Sequence, residues 1–209
     1  MKNPRTRTLL KLTGGVASIR LLEADRSFLR DLARVGFIDA PTASIHHYAH
    51  LNNGCERSLA RLERAGLIRS KRVRANGTTV KAYEFASRDI AKAWGGAIPV
   101  VGARRSELHE LVTSRLYYAL GCPADFRLEA HFSEADQRLV GLDQKFKPDA
   151  MFTDGDGQIV FVEADSGHYS KSQIRKKMTR WRGFKQVWGQ PATASARVPI
   201  EANVAVVRV

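Results

Sequence analysis

The dipeptide Asn76–Gly77 constrains the fold most, because the central positions of a tight two-residue hairpin need positive φ and these residues supply it at the least steric cost. Strand patterns flank it: Leu67–Ile68 and the basic stretch Arg69 to Arg74 lead in, and Thr78 to Phe85 returns. Everything before Gly66 has a helical period instead. From Glu23 to Leu32 the apolar positions Phe28, Leu29, Leu32 and Val35 share a face, and Gly36 caps the segment. Pro41 opens a second short helix carrying Ile45, Tyr48, Ala49 and Leu51, which must end at Asn52-Asn53-Gly54. From Cys55 a third helix places Cys55, Leu59, Leu62 and Gly66 on one stripe and Arg57, Arg61 and Arg64 on another.

Charge says what such an element would meet. The 209 residues hold 34 Lys+Arg against 21 Asp+Glu, a formal +13, so a polyanion is the default partner. Residues 1–99 hold 18 basic and 8 acidic residues, and residues 100–209 hold 16 and 13. Residues 1–22 are basic without an acid and read as a flexible arm, with an organellar targeting segment as the alternative. No apolar run reaches the ~18 residues a bilayer span needs, so no membrane partner is expected. Cys55 and Cys122 form no CxxC pair and read as reduced thiols of an intracellular protein, expected in the cytoplasm and associated with the bacterial nucleoid.

Three helices followed by a two-stranded basic ribbon is the order of a winged helix-turn-helix, and "LARLERAGLIRSKRV" resembles that family. On this reading residues 23–94 form a domain for double-stranded DNA. Its third helix (Arg57, Arg61, Arg64) enters the major groove, while Lys71, Arg72, Arg74 and Lys81 reach phosphates. The plainer alternatives are a solvated helix face or a protein-docking winged helix. His46 and His50 have the i, i+4 spacing of metal ligands, beside His47, but no Cys or acid completes a site, so they read as a polar helix face.

Residues 95–103, with Gly95-Gly96 and Pro99, read as a linker to a second domain over residues 104–209. Ser106 caps a helix with Glu107 and Glu110 in its first turn and Leu108, Leu111, Val112, Leu116 and Ala119 on its apolar face. Phe126, Leu128, Ala130 and Phe132 alternate as a strand. Pro148 to Thr153 and Gln158 to Ala164 flank the Asp154-Gly155-Asp156-Gly157 turn; a three-residue loop over residues 155–157 sets position 149 opposite 163, and other turn choices shift the register by one. Ser170 to Trp188 reads as a basic helix with Ile174, Met178 and Trp181 on its stripe, and Ala202 to Val209 as a buried strand reached by a right-handed parallel crossover.

The resulting α-β-β-β-α-β order, with Pro148-Asp149 on one strand and Glu163 within the apolar "IVFVEADS", resembles the PD-(D/E)xK (restriction-endonuclease-like) nuclease fold, making the chain α+β or α/β overall. The resemblance implies that Asp149 and Glu163 hold Mg²⁺, with Glu110 or Glu107 assisting from the helix. Where that family carries its lysine, this sequence has Asp165; Lys147 or Lys171 would have to substitute. A carboxylate in so apolar a strand needs a cation, a metal or a hydrogen-bonded partner, and an ion pair with Lys147, Lys171 or Arg175 is the structural alternative. His109, His131 and His168 are isolated in sequence; His168 lies near the site as an acid or base.

"RSLARLERAGLI", "HELVTSRLYYAL", "KPDAMF" and "VFVEADSGH" together resemble the replication-relaxation family of plasmid and integrative-element proteins over residues 24–185. That resemblance implies Asp165 belongs to the family pattern, and a role in plasmid replication, DNA relaxation or transfer. The expectation is a DNA-binding accessory factor or regulator of a mobile element, with a degenerate nuclease-like domain, no certain cofactor, and dimerisation on a palindromic site. The alternative is a Mg²⁺-dependent DNA nickase or endonuclease, in which Lys171, Arg175 and Lys176 grip the strand.

Overall fold

The computed structural model describes residues 19–51, 54–75, 77–96, 106–141, 147–167, 169–193, 198–199 and 201–209. Residues 1–18 of the arm read over 1–22, Asn52-Asn53, Asn76, residues 97–103 of the linker read over 95–103, residues 104–105 and His168 lie outside them. The chain is mixed α+β with two sheets.

In the first half, α1 (Glu23–Val35) buries Phe28, Leu29 and Leu32 and ends at Gly36, whose φ of 76° is left-handed. β1 (Ile38–Asp39) leads directly into α2 (Ala40–His46), because the Asp39 side chain caps the helix by accepting from Thr42 N. α3 (Gly54–Arg64) buries Ser58, Leu59 and Leu62. β2 (Ile68–Ala75) and β3 (Thr78–Phe85) pair antiparallel with Ala75 opposite Thr78, and β1 adds to β3, giving the order β1-β3-β2. α4 (Arg88–Ala93) is capped by Ser87.

The second half contains α5 (Glu107–Ala119), β4 (Arg127–Leu128), α6 (Glu134–Val140), β5 (Ala150–Thr153), β6 (Ile159–Ala164), α7 (Lys171–Arg180), β7 (Lys185–Gln190) and β8 (Val204–Arg208). Its sheet runs in sequence order, antiparallel from β4 to β6 and parallel from β6 to β8. The β5–β6 ladder pairs Ala150 with Val162, the register that sets 149 opposite 163. Its loop closes between Asp154 and Gln158, with Gly157 at φ 75°.

Four expectations differ from the structure: first, the helix opened by Pro41 ends at His46, so Tyr48, Ala49 and Leu51 lie in the turns after it. The strand read through Phe132 stops at Leu128, where a 3₁₀ turn over Glu129–His131 and then α6 take over. The helix read to Trp188 ends at Arg180, and residues 185–190 form β7, the strand parallel to β6. Phe184 or Lys185 continues the Ile174, Met178 and Trp181 stripe only by coincidence of spacing. β8, expected to be buried, is a half-exposed strand at the sheet edge.

Side-chain alternation sorts the large sheet into two covered faces. Ala150, Phe152, Val160, Val162, Ala164 and Val187 join one cluster with Val112, Leu116 and Tyr117 of α5 and with Phe28, Leu32 and Tyr48 of the first half. Met151 and Phe161 pack with Trp181, and Trp188 packs with Ile174 and Met178, so α7 covers the opposite face. Leu111 of α5 also packs on Val73, Ala75 and Ala82 of the hairpin. Polar contacts tie the halves further: Arg115 Nη2 lies 2.5 Å from the buried Asp39, and His47 Nε2 lies 2.9 Å from Tyr118 Oη.

Gly189 marks how closely α5 approaches, since a Cβ there would lie 2.3 Å from Leu116 Cδ1, in a side chain with no exposure of its own. Gly189→Ala is expected to cost about 1–3 kcal/mol, read as a lower urea midpoint with an unchanged slope.

Candidate functional site

Two regions carry chemistry, a cationic surface on the first half and a buried polar cluster under α7. On the surface, Arg57 and Arg64 are exposed on α3, and Arg72 and Arg74 are exposed on β2, where Val73 and Ala75 turn inward. Other cations named from sequence have internal partners. Arg61 is bound to the fully buried Asp25 and donates from Nη1 to Arg20 O at 3.1 Å. Lys71 Nζ lies 3.0 Å from Glu84, and Lys81 Nζ 3.2 Å from Glu63. Arg61 therefore anchors α3 to α1, where its guanidinium compensates a carboxylate removed from water.

In the cluster, Asp149 enters just before β5, held by Asp149 N donating to Val162 O at 3.0 Å, and Glu163 sits on β6. Asp149 is 3% exposed and Glu163 has no exposure. Asp149 Oδ2 accepts from Ala164 N at 2.8 Å, and Oδ1 lies 3.2 Å from His109 Nε2 of α5. Glu163 Oε2 receives Lys177 Nζ at 2.5 Å. Lys177, 6% exposed on the inner face of α7, also donates to Tyr169 Oη at 3.2 Å and Lys147 O at 3.4 Å. Lys147 thus contributes its carbonyl, and Lys171 is exposed at the first residue of α7.

Burial, with Asp149 adding to it, pushes the Glu163 carboxyl well above its ordinary range against the pull of Lys177. Burial by itself would lower Lys177, but the Glu163 and Asp149 carboxylates outweigh it and hold the ammonium charged beyond the usual lysine range. Burial and the two carboxylates together raise the Tyr169 phenol.

Asp165 turns elsewhere: its carboxylate accepts from Gly167 N and Gln190 Nε2, both at 3.0 Å, closing the end of β6 against β7. Glu110 and Glu107 lie in the first turn of α5, and Glu107 reaches Lys71 at 3.8 Å. No family model, curated protein or solved structure matches this chain.

The donor set does not fit a resident divalent cation as arranged. Among the described residues no three His, Cys, Asp or Glu side chains group for a metal, and an ammonium already occupies the position facing Glu163 Oε2. Glu163 Oε1 is buried without a hydrogen-bond partner, so one carboxylate oxygen faces the interior unsatisfied. What the arrangement does chemically is hold two carboxylates, an ammonium and a phenol in a low-dielectric pocket where each sets the others' protonation.

Lys177 and Tyr169 were not singled out in the sequence, yet a signal for Lys177 existed. It falls between Ile174, Met178 and Trp181 on the apolar stripe of α7, where a lysine needs a buried anion. His109 carried no such signal, since its role depends on how α5 docks.

Lys177→Met leaves Glu163 buried without its cation. The folded state then keeps a proton that the unfolded chain releases near 4.5, so the variant's stability falls as pH rises above that value. At pH 7 the loss is expected at about 3–5 kcal/mol by urea unfolding, shrinking towards pH 4, and adding Glu163→Gln should remove most of both effects.

Proposed function

We propose that this protein binds double-stranded DNA through a winged-helix first half, and that its second half is a PD-(D/E)xK-like domain serving assembly rather than efficient hydrolysis. The observation that carries this is the set of outward cations on α3 and β2. Arg64, Arg72 and Arg74 meet no carboxylate among the described residues, whereas Arg61, Arg69 and Lys71 on the same two elements are paired with Asp25 and Glu84. Selection for stability alone has no use for uncompensated like charges on one strand, whereas a phosphate backbone neutralises them and releases its counterions. The order of helices and hairpin supports the winged-helix reading, with α3 for the major groove and the β2–β3 hairpin for flanking phosphates. The accompanying role is that of an accessory factor or regulator of a mobile element.

Binding is tested with labelled duplexes over a salt series. Arg72→Ala with Arg74→Ala is expected to lower the slope of log K against log salt by about 1.8, equally for every sequence. Arg57→Ala should weaken preferred sequences more than random ones, and no retardation of any duplex at low salt would overturn the proposal. Arg61→Ala instead exposes the Asp25 pairing and is expected to reduce stability in urea before it says anything about DNA.

One observation favours a second reading, a metal-dependent DNA nickase: Lys177 brings an ammonium to Glu163 beside Asp149, supplying from α7 the cation that the Asp165 position lacks. Supercoiled plasmid incubated with Mg²⁺, Mn²⁺ or chelator separates the two readings on one gel. Metal-dependent open circles that Asp149→Ala and Glu163→Ala both abolish would establish the nickase, and retarded but intact plasmid supports the binding protein.

A further inference from the structure

Between Ser166 and Ile200 the chain has eight basic residues and no Asp or Glu. Two of the eight are neutralised: Lys177 by Glu163, and Lys185 by Asp154 at 2.6 Å and Asp156 at 3.2 Å. Lys171, Arg175, Lys176 and Arg182 are exposed and meet no carboxylate among the described residues. Along α7, Ser172, Arg175, Lys176, Thr179 and Arg180 fall at i, i+3, i+4, i+7 and i+8 and line one shallow groove. The opposite stripe of the helix, Ile174, Lys177 and Met178, is locked onto the sheet. The outer face is therefore a rigid cationic rail rather than a set of mobile side chains on a loop.

Its position distinguishes it from the first cationic surface. α7 covers one face of the five-stranded sheet, while α5 and the first half cover the other. The sheet and α5 thus lie between the rail and the hairpin, a separation on the order of 20 Å from a helix diameter of about 10 Å and the sheet beneath it. A straight duplex seated on α3 and β2 does not reach the outer face of α7.

We propose that the outer face of α7 is a second DNA-backbone contact, so that one chain holds two separate duplex segments at once. The inference rests on the DNA-binding reading and adds a second site to it. Residues 172–180 span about 12 Å of helix, the axial length of three to four base pairs at about 3.4 Å of rise each. Arginine and lysine heads with Ser172 and Thr179 hydroxyls are phosphate-contacting groups, and none reads base edges here, so this contact is indifferent to sequence. The reason to favour two segments over one wrapped segment is mechanical: bending a site by only 40–90° costs on the order of 1–6 kcal/mol, and passing around the sheet demands more.

The test is tethering by the full chain. A short biotinylated duplex is immobilised, protein is added, and retention of a second, fluorescent duplex is measured. Wild type is expected to retain it. Arg175→Glu with Lys176→Glu, both exposed positions, should still bind the immobilised duplex but drop retention of the second to background. Arg175→Ala with Lys176→Ala should lower the salt slope of tethering by about 1.8. Tethering that survives the α7 double variant, with the chain running as a dimer by light scattering, would overturn the inference, because two hairpins then do the bridging. Wild type that binds one duplex and never tethers a second also overturns it while leaving DNA binding intact. Binding to neither duplex sinks the DNA-binding reading itself, and α7-dependent capture of phosphatidylserine vesicles in place of duplex assigns the rail to a membrane surface instead.

Discussion

A strand that must be covered on both faces organises this molecule. β6 is apolar apart from Glu163, and its alternate side chains enter two different clusters, Val160, Val162 and Ala164 towards α5 and Phe161 towards Trp181. Such a strand is stable only between two layers, so a helix is required on each side, and the β6–α7–β7 crossover supplies one of them in sequence. α5 supplies the other, and the same helix carries the first half on its remaining surface through Leu111, Tyr117 and Tyr118. The two halves consequently share a core, strengthened where Arg115 reaches the Asp39 cap of α2.

The price of placing Glu163 on the α7 side of that strand is a buried carboxylate, and Lys177 offsets it. Desolvation of both groups is large, and the pair is tolerated because Lys177 also meets the Tyr169 hydroxyl and the Lys147 carbonyl while Asp149 is held by the Ala164 amide. A pair built this way stabilises less than an apolar substitute would, yet removing one partner is severe.

Charge elsewhere divides by the same logic. Cations with a structural task have a carboxylate within reach, as Arg61, Lys81, Arg115, Arg127 and Lys185 do. Arg72 and Arg74 on β2 and Lys171, Arg175 and Lys176 on the outward face of α7 meet none among the described residues. A composition of +13 thus resolves into surfaces with direction, which composition alone does not provide.

Local features were legible in the sequence because they depend on neighbours along the chain. The hairpin around Gly77, the cap at Ser106, and the register that sets 149 opposite 163 follow from turn chemistry and alternation. β7 was not legible, since Phe184 or Lys185 continues the stripe of Ile174, Met178 and Trp181, and only the parallel ladder to β6 extends residues 185–190. α6 was overlooked although Ser133 and Asp136 form its capping box. The sequence by itself determined that Glu163 needs a buried partner, because desolvating a carboxylate is costly in any fold. Only the tertiary structure decided that the partner is Lys177 rather than Lys147 or Lys171, and that Arg61 faces inward to Asp25, because both depend on which helix face a docked neighbour covers.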